Sequence, residues 1–445
     1  LSDPIEKTGK GNSGRMGASG EPLFSFQVEG AFTPPELAAR LRFYDEAYDD
    51  FIRQLEARGI LFADRFEDAD EIARLRSRLM ESGIEGWYRG ASLRRGCISP
   101  ACRDCVTALR SKTFELTTQC HRKCFFCLNS EAMGASDLGS SWRDDMDDLC
   151  VRGIQLDHVG LSGGEPLLLK QEAFEFFEHA RERFPRAWLR LYTSGDLLSD
   201  GDLERFGACG LDEIRFSFKQ EDSSEIGKRL FSRVAEAKRH LSFVAVEMPV
   251  CPGSFPYMRD LMETLAGLGV DSINLLEFCF PLANWGEFAK RGFRIANPPF
   301  DVLYRYDYAG GLPVAGSELE CLRLLDFAQE SDLGMGVHYC SLENKHRAEM
   351  FSLNAASAWL SDAYIFDEGD FFLKTCKIFG DEVLRARYLL DGIDAACIEH
   401  EAAGFIECHP DCKQMLDKEG IHAVISYNVL EQRDGRAVLR ELALR

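Results

Sequence analysis

Cys120-His121-Arg122-Lys123-Cys124-Phe125-Phe126-Cys127 sets three thiols within eight residues, three residues apart in the first gap and two in the second. So short a loop can wrap three thiolates around one face of a metal cluster, and the residues between them are too few to form a core. Three protein ligands on a four-iron cube leave one iron open, and an open site is where chemistry rather than structure happens. The spacing is neither the bacterial ferredoxin run nor the paired C-x2-C units usual at zinc. On spacing alone, zinc remains an alternative. Further on, Ser162-Gly163-Gly164-Glu165-Pro166 follows the short apolar run Val159-Gly160-Leu161. By itself that is a turn, but it stands just past what reads as the next strand after the cysteines.

Strands and helices alternate around these two motifs. Apolar runs predict strands at 113–118, 158–162, 188–194, 213–218, 243–248 and 272–277. Helical periodicity occupies 142–153, 168–184, 199–208, 225–241 and 256–268 between them. Repeated strand–helix units imply right-handed crossovers and a parallel sheet, which binds ligands at the C-terminal ends of its strands. Both motifs fall at such ends.

The C-x3-C-x2-C spacing with Phe126 before its last cysteine, followed by Gly163-Gly164-Glu165-Pro166, resembles the radical S-adenosylmethionine (radical SAM) superfamily. The resemblance implies an α/β fold, a partial (β/α)6 barrel over 113–280. It implies that Cys120, Cys124 and Cys127 hold a catalytic 4Fe–4S cluster whose fourth iron is chelated by S-adenosylmethionine. One electron, from a flavodoxin- or ferredoxin-type donor, then gives methionine and a 5′-deoxyadenosyl radical that abstracts hydrogen from substrate. Phe126 matches the family's aromatic position near adenine, and Gly163 to Pro166 match the turn that receives the methionyl amino group. Thr193, Ser217 and Glu247 match strand-end positions that bind ribose and carboxylate. Plainer readings are core packing for Phe126 and helix capping for the strand-end residues.

Cys97, Cys102 and Cys105 form a second tight group just before the first barrel strand. Three thiols so close read as a metal site, and a second, auxiliary 4Fe–4S cluster is expected ahead of zinc because the neighbouring site already requires iron–sulfur assembly. Its fourth ligand is expected to be Cys340 in His338-Tyr339-Cys340-Ser341. An upstream cysteine group paired with a late His-aromatic-Cys-Ser resembles radical SAM proteins related to activating enzymes. Cys408-His409-Pro410-Asp411-Cys412, with Cys376 and Cys397, could form a third metal site, but the spacing matches no cluster template well and buried free thiols are the plainer reading.

The remaining segments frame the barrel. Residues 1–20, glycine-rich, are expected to be a flexible tail. A mostly helical module covers 21–96, with one strand candidate at 23–28, a capping box at Thr33-Pro34-Pro35-Glu36 and two amphipathic helices. The cysteine segment is 97–112, a loop and helix that suggest a lid fill 281–336, and a small α+β module covers 337–445. Leu1 is not an initiator methionine, so the numbering is expected to begin inside a longer gene product.

With 445 residues, 52 Lys plus Arg against 73 Asp plus Glu, the net charge of −21 argues against a nucleic-acid backbone as partner. Sixteen cysteines, several clustered, fit a reducing, cytoplasmic setting better than a disulfide scaffold. No apolar run is long enough for a membrane span. The expectation is a radical SAM enzyme acting on a small molecule, since the N-terminal module lacks the strands of a leader-binding domain. The alternatives are a maturase acting on a peptide or protein side chain, or a non-catalytic iron–sulfur or zinc protein serving as carrier or scaffold.

Overall fold

The computed structural model describes residues 37–105, 107, 110–127, 142–281, 284–304, 311–355, 357, 360–433 and 436–445. The glycine-rich tail, the strand candidate at 23–28, the capping box at 33–36, residues 305–310 of the expected loop and residues 434–435 lie outside the described residues.

In chain order the first elements are α1 (Leu37–Glu56), α2 (Ala69–Glu81), β1 (Glu85–Trp87), β2 (Ser92–Arg95), α3 (Pro100–Arg103), β3 (Ser111–Thr117) and α4 (Trp142–Val151). Next come β4 (His158–Gly163), α5 (Lys170–Arg183), β5 (Trp188–Thr193), α6 (Asp202–Ala208), β6 (Glu213–Phe216), α7 (Ser224–His240), β7 (Phe243–Val250), α8 (Phe255–Gly267) and β8 (Ser272–Glu277). Then follow β9 (Cys279–Phe280), α9 (Trp285–Lys290), β10 (Leu312–Pro313), α10 (Ser317–Glu330), β11 (Gly336–Cys340) and α11 (Leu342–Asn354). The last are β12 (Ile365–Phe366), β13 (Leu373–Phe379), α12 (Val383–Asp391), β14 (Cys397–His400), β15 (Phe405–Cys408), α13 (Lys413–Lys418), β16 (Ala423–Arg433) and β17 (Arg436–Leu444).

Of the described residues, 63–297 and 311–344 form one compact unit. Its sheet runs β1-β2-β11-β8-β7-β6-β5-β4-β3, and the neighbours from β11 to β3 are all parallel. All six expected strands are present. A seventh parallel strand, β11, joins beyond β8, and β2 pairs antiparallel to it. The pleat sends alternate side chains to opposite faces. One face carries Ile214, Phe216, Val244, Val246, Ile273 and Leu275, buried in one core with Phe174, Phe176 and Phe177 of α5. Each such side chain contributes roughly 1.5–3 kcal/mol of transfer free energy. Polar residues Glu213, Arg215, Glu247, Asn274 and His338 alternate with them onto the other face and bond to one another there, and Arg190 on the same face donates to Tyr192 and Thr113.

The other unit holds residues 37–62, 298–304 and 345–445 as described. Its sheet is ordered β14-β15-β13-β16-β17, with β12 on β13. Ala386 and Leu390 of α12 and Leu416 of α13 pack with Ile378, Ile406 and Cys408 of the sheet.

The structure therefore divides the chain differently from the expected modules. The two N-terminal helices do not form one body. The Tyr44 hydroxyl of α1 donates to Glu441 of β17 at 2.7 Å, whereas α2 is ion-paired along α10 through Arg76–Glu318, Arg78–Asp326 and Glu71–Arg323. Residues 336–340 belong to the parallel sheet, buried on both faces between β8 and β2, so the C-terminal unit starts later than 337. Among the described residues no helix is long and apolar enough to cross a membrane.

Glu277 is a buried carboxyl on the helix-facing side of β8, accepting from Leu342 N at 2.7 Å and Tyr339 Oη at 3.4 Å. Burial, reinforced by Glu318, pushes it up to about 8. The folded chain thus binds a proton there that the unfolded chain has released, and stability attributable to this group falls as pH rises from the ordinary carboxylate range to 8. Glu277→Gln, permanently neutral, should flatten that slope, by at most roughly 1.4 kcal/mol per pH unit. Thermal unfolding of wild type and variant across pH 5 to 8 checks it: the variant should gain on wild type steadily through the window.

Candidate active site

Three connections fix the cysteine loop at the C-terminal end of the sheet. β3 ends at Thr117 and β4 at Gly163, and the chain between Thr117 and Cys120 runs directly against the Gly163-Gly164 turn. Gly164 N donates to Thr117 O at 2.6 Å and Glu165 N to Gln119 O at 2.8 Å. A Cβ on Gly163, whose φ is 128°, would stand 2.3 Å from Thr117 O, and one on Gly164 would stand 2.0 Å from Gln119 O. Only glycine permits so close a backbone approach.

Glu165 makes the second connection. It is 1% exposed, and one carboxylate oxygen accepts from Thr193 Oγ1 at 2.7 Å and Leu167 N at 3.1 Å. The other accepts from Ser194 N at 2.8 Å and Ser194 Oγ at 2.6 Å. A buried carboxylate is tolerable only with such a full set of donors, and this one ties the end of β4 to the end of β5. Pro166 starts the 3-10 turn Pro166–Leu169, where its missing N–H costs nothing.

The third connection was not legible in the sequence, which offers no pattern linking these residues. His121 and Arg122, inside the cysteine loop, bond to Asp196, with His121 Nε2 at 2.9 Å, and Arg122 also reaches Asp222. Burial alone would raise the Asp196 carboxyl, but the hydrogen bonds from Arg122 and His121 outweigh it and hold it below the usual range.

Beside the loop lies a cavity of about 200 Å³ walled by Phe125, Phe126, Phe218, Met248 and Phe293, with Lys219, Glu221, Cys251 and Arg291 also on its lining. Phe126 is half-buried, 5.2 Å from Phe125 and 6.2 Å from Phe278 between ring centres, so it both packs and faces the cavity. Burial, with Glu221 nearby, pushes the Cys251 thiol up to about 12, so it remains S–H at neutral pH. Ser217 N donates to Thr193 O at 3.0 Å just past β6. Thr193 is occupied as a brace, its hydroxyl donating to Glu165 and accepting from Gly195 N. Glu247 is held by Arg215 Nη1 at 2.8 Å and Asn274 Nδ2 at 2.9 Å, within the polar network rather than at the cavity.

The upstream cysteines lie at the opposite end of the sheet. Ser99 Oγ donates to Glu213 at 2.6 Å, and Asp104 meets His158, the first residue of β4, at 2.8 Å. The Cys97 carbonyl touches Gly336, the first residue of β11. Cys102 turns inward, its sulfur 3.3 Å from Arg215 Nη2 and 3.4 Å from Asn274 Nδ2, while Cys97 and Cys105 are exposed. Cys340, the expected fourth ligand, is buried at the end of β11, two residues past His338, whose ring bonds Asn274, the residue against which the Cys102 sulfur lies. Among the described residues no three His, Cys, Asp or Glu side chains converge as a single ion requires. A cubane takes its thiolates on separate irons and does not need them to meet at one point.

The C-x3-C-x2-C loop, carried at a strand end with its three cysteines half-buried, suits a four-iron cluster with one iron left for an exogenous ligand. Adding one methyl group should be enough to disturb it. Gly164→Ala must displace the Gln119 carbonyl or strain the turn, at roughly 1–3 kcal/mol, and should lower the iron retained per chain after anaerobic reconstitution. Gly227→Ala, with open space around its Cβ, should retain wild-type iron.

Residues 114–245 match the radical SAM superfamily model. A protein of Methanocaldococcus jannaschii named as a glycyl-radical enzyme activating enzyme is 25% identical over 294 residues, 63% of this chain and 74% of its own length. The PqqA peptide cyclase of Granulibacter bethesdensis is 33% identical over 111 residues, 24% of this chain and 28% of that protein. The structure of Streptococcus suis SuiB bound to precursor peptide SuiA aligns with TM-score 0.41 and 12% identity, over 75% of this chain and 67% of that one. Residues 114–245, which hold the cysteine loop and the Gly-Gly-Glu-Pro turn, are thus a domain of the radical SAM superfamily.

Proposed function

We propose that Cys120, Cys124 and Cys127 hold a 4Fe–4S cluster at the C-terminal end of the sheet, and that the enzyme abstracts hydrogen from a small organic substrate. The observation that carries this reading is the lock between the Gly163-Gly164 turn and the Thr117 and Gln119 carbonyls. It sets the triplet, the turn and the phenylalanine-walled cavity side by side. When bound, the cluster supplies one electron for reductive cleavage of S-adenosylmethionine to methionine and a 5′-deoxyadenosyl radical.

The protein's own work is positioning and exclusion of water. Phe125, Phe126, Phe218 and Phe293 make the cavity wall apolar. Lys219 and Arg291 bring positive charge to it, suited to a carboxylate on S-adenosylmethionine or on substrate. Phe126, the Gly163 to Pro166 turn and Ser217 are the proposed neighbours of S-adenosylmethionine. Thr193 and Glu247 support from behind, the first through Glu165 and the second through Arg215.

Cys97, Cys102 and Cys105 are the proposed ligands of an auxiliary 4Fe–4S cluster, with Cys340 as the proposed fourth. N–H donors from Arg215 and Asn274 on the Cys102 sulfur suit a thiolate. From His158 at that end to Gly163 at the other is five residues of β4, roughly 17 Å, so this group is set for electron entry from a flavodoxin- or ferredoxin-type donor rather than for touching substrate. A peptide or protein side chain as substrate is the second reading, favoured by the activating-enzyme and peptide-cyclase names of the two sequence relatives.

Replacing Cys120, Cys124 and Cys127 together with alanine should remove about four irons per chain, the complement of one cubane, and abolish 5′-deoxyadenosine formation under dithionite. Retained cleavage of S-adenosylmethionine in that variant would overturn the assignment.

A further inference from the structure

Arg122 lies inside the cysteine loop, and its backbone N donates to the Cys120 sulfur at 3.4 Å. Its side chain leaves the loop and bridges two carboxylates. Nε and Nη2 bond to Asp196, just past β5, while Nη1 donates to Asp222, beyond β6, at 2.5 Å. The three side chains are shielded from solvent, at 10% exposed for Arg122, 8% for Asp196 and 12% for Asp222. One planar guanidinium serves both partners because its donors are fixed in a fork.

The two carboxylates hold different things. Asp196 anchors the cysteine loop to the strand end that also carries Thr193 and Ser194, the donors to Glu165. Asp222 closes the segment 217–222, its other oxygen accepting from Lys219 N at 3.2 Å. That segment brings Phe218, Lys219, Gln220 and Glu221 to the cavity, whereas Arg122, Asp196 and Asp222 are not among the described residues that line it. The Nε2 of Gln220 is buried without a hydrogen-bond partner, and an acceptor on a bound ligand would satisfy it. A second bridge from this segment to the cysteine loop is Arg291, 4.0 Å over the Phe125 ring and 3.7 Å from Glu221. Its ion pair is exposed and holds the segment weakly. The shielded tie is Arg122 to Asp222.

We propose that Arg122 is a positioning residue for S-adenosylmethionine: through Asp222 it fixes the 217–222 segment, with Ser217 and Lys219, against the cysteine loop. The inference rests on the reading that Cys120, Cys124 and Cys127 hold a cluster and that the adjoining cavity receives S-adenosylmethionine. Weakening the Asp222 tie leaves the three thiols and the Asp196 anchor in place but frees one wall of the cavity. Binding must then order that wall itself, which costs affinity. The signature is therefore weaker binding of S-adenosylmethionine at unchanged iron content. A side chain that only supported the cysteine loop would change the iron first.

Calorimetric titration of S-adenosylmethionine into the anaerobically reconstituted, oxidised full chain reads the affinity without cleavage, since no electron is supplied. Asp222→Asn keeps the shape of the side chain and removes its charge. It should retain the wild-type iron content and raise the dissociation constant roughly tenfold, as expected when a charge-assisted hydrogen bond becomes a neutral one. Arg122→Lys keeps the charge but not the fork. It should show the same pattern, and it decides the matter should Asp222→Asn fail to reconstitute. Wild-type affinity in both variants would overturn the inference. So would loss of iron from both, which would leave Arg122 a support for the cysteine loop alone. A wild type that retains its iron but does not bind S-adenosylmethionine would instead overturn the reading beneath it.

Discussion

The contact on which the rest depends is backbone against backbone: the Gly163-Gly164 turn against the Thr117 and Gln119 carbonyls. Two hydrogen bonds, 2.6 and 2.8 Å long, join segments that a single Cβ would drive apart. That contact converts two neighbouring parallel strands into a platform for the cysteine loop. Glu165 extends the platform to the end of β5 through three hydrogen bonds, and Arg122 extends it from the loop to Asp196 and Asp222. The cavity walled by Phe125 and Phe126 follows from the same placement.

Between the two ends of the sheet the inward face is polar. Arg215, 4% exposed, is bonded to Glu213, Glu247, Ser99 and the Cys102 sulfur. Burying such charges stabilises little in itself, because desolvation offsets the attraction, but removing one partner strands the other at roughly 3–5 kcal/mol. The network therefore fixes where the 97–105 segment sits more than it adds to stability. It also separates the two cysteine groups, since one is bound to strand starts and the other follows strand ends.

The six barrel strands and the helices between them were legible because parallel strands are continuous apolar runs and the helices keep their 3.6-residue period. The hairpin of β1 and β2 was not, since strands of three and four residues carry too little pattern. β11 was missed as a barrel strand because it lies well past β8 in sequence, after α9 and α10. Helical spacing gave α1 and α2 correctly but could not say what each packs on, and they sort to different units. Site residues divide on the same ground. Local spacing identified the triplet and the glycine turn, while the polar network that meets Cys102 joins residues of β6, β7, β8 and β11 and carries no local pattern. That Cys408 stands opposite both Cys376 and Cys397 depends on strand register, which no local motif encodes.

The most direct test of the central claim is electron paramagnetic resonance of the anaerobically reconstituted, dithionite-reduced chain before and after addition of S-adenosylmethionine. The account predicts a reduced four-iron signal whose g-values change when S-adenosylmethionine is added, because the triplet leaves one iron open to it. A four-iron signal indifferent to S-adenosylmethionine would contradict it.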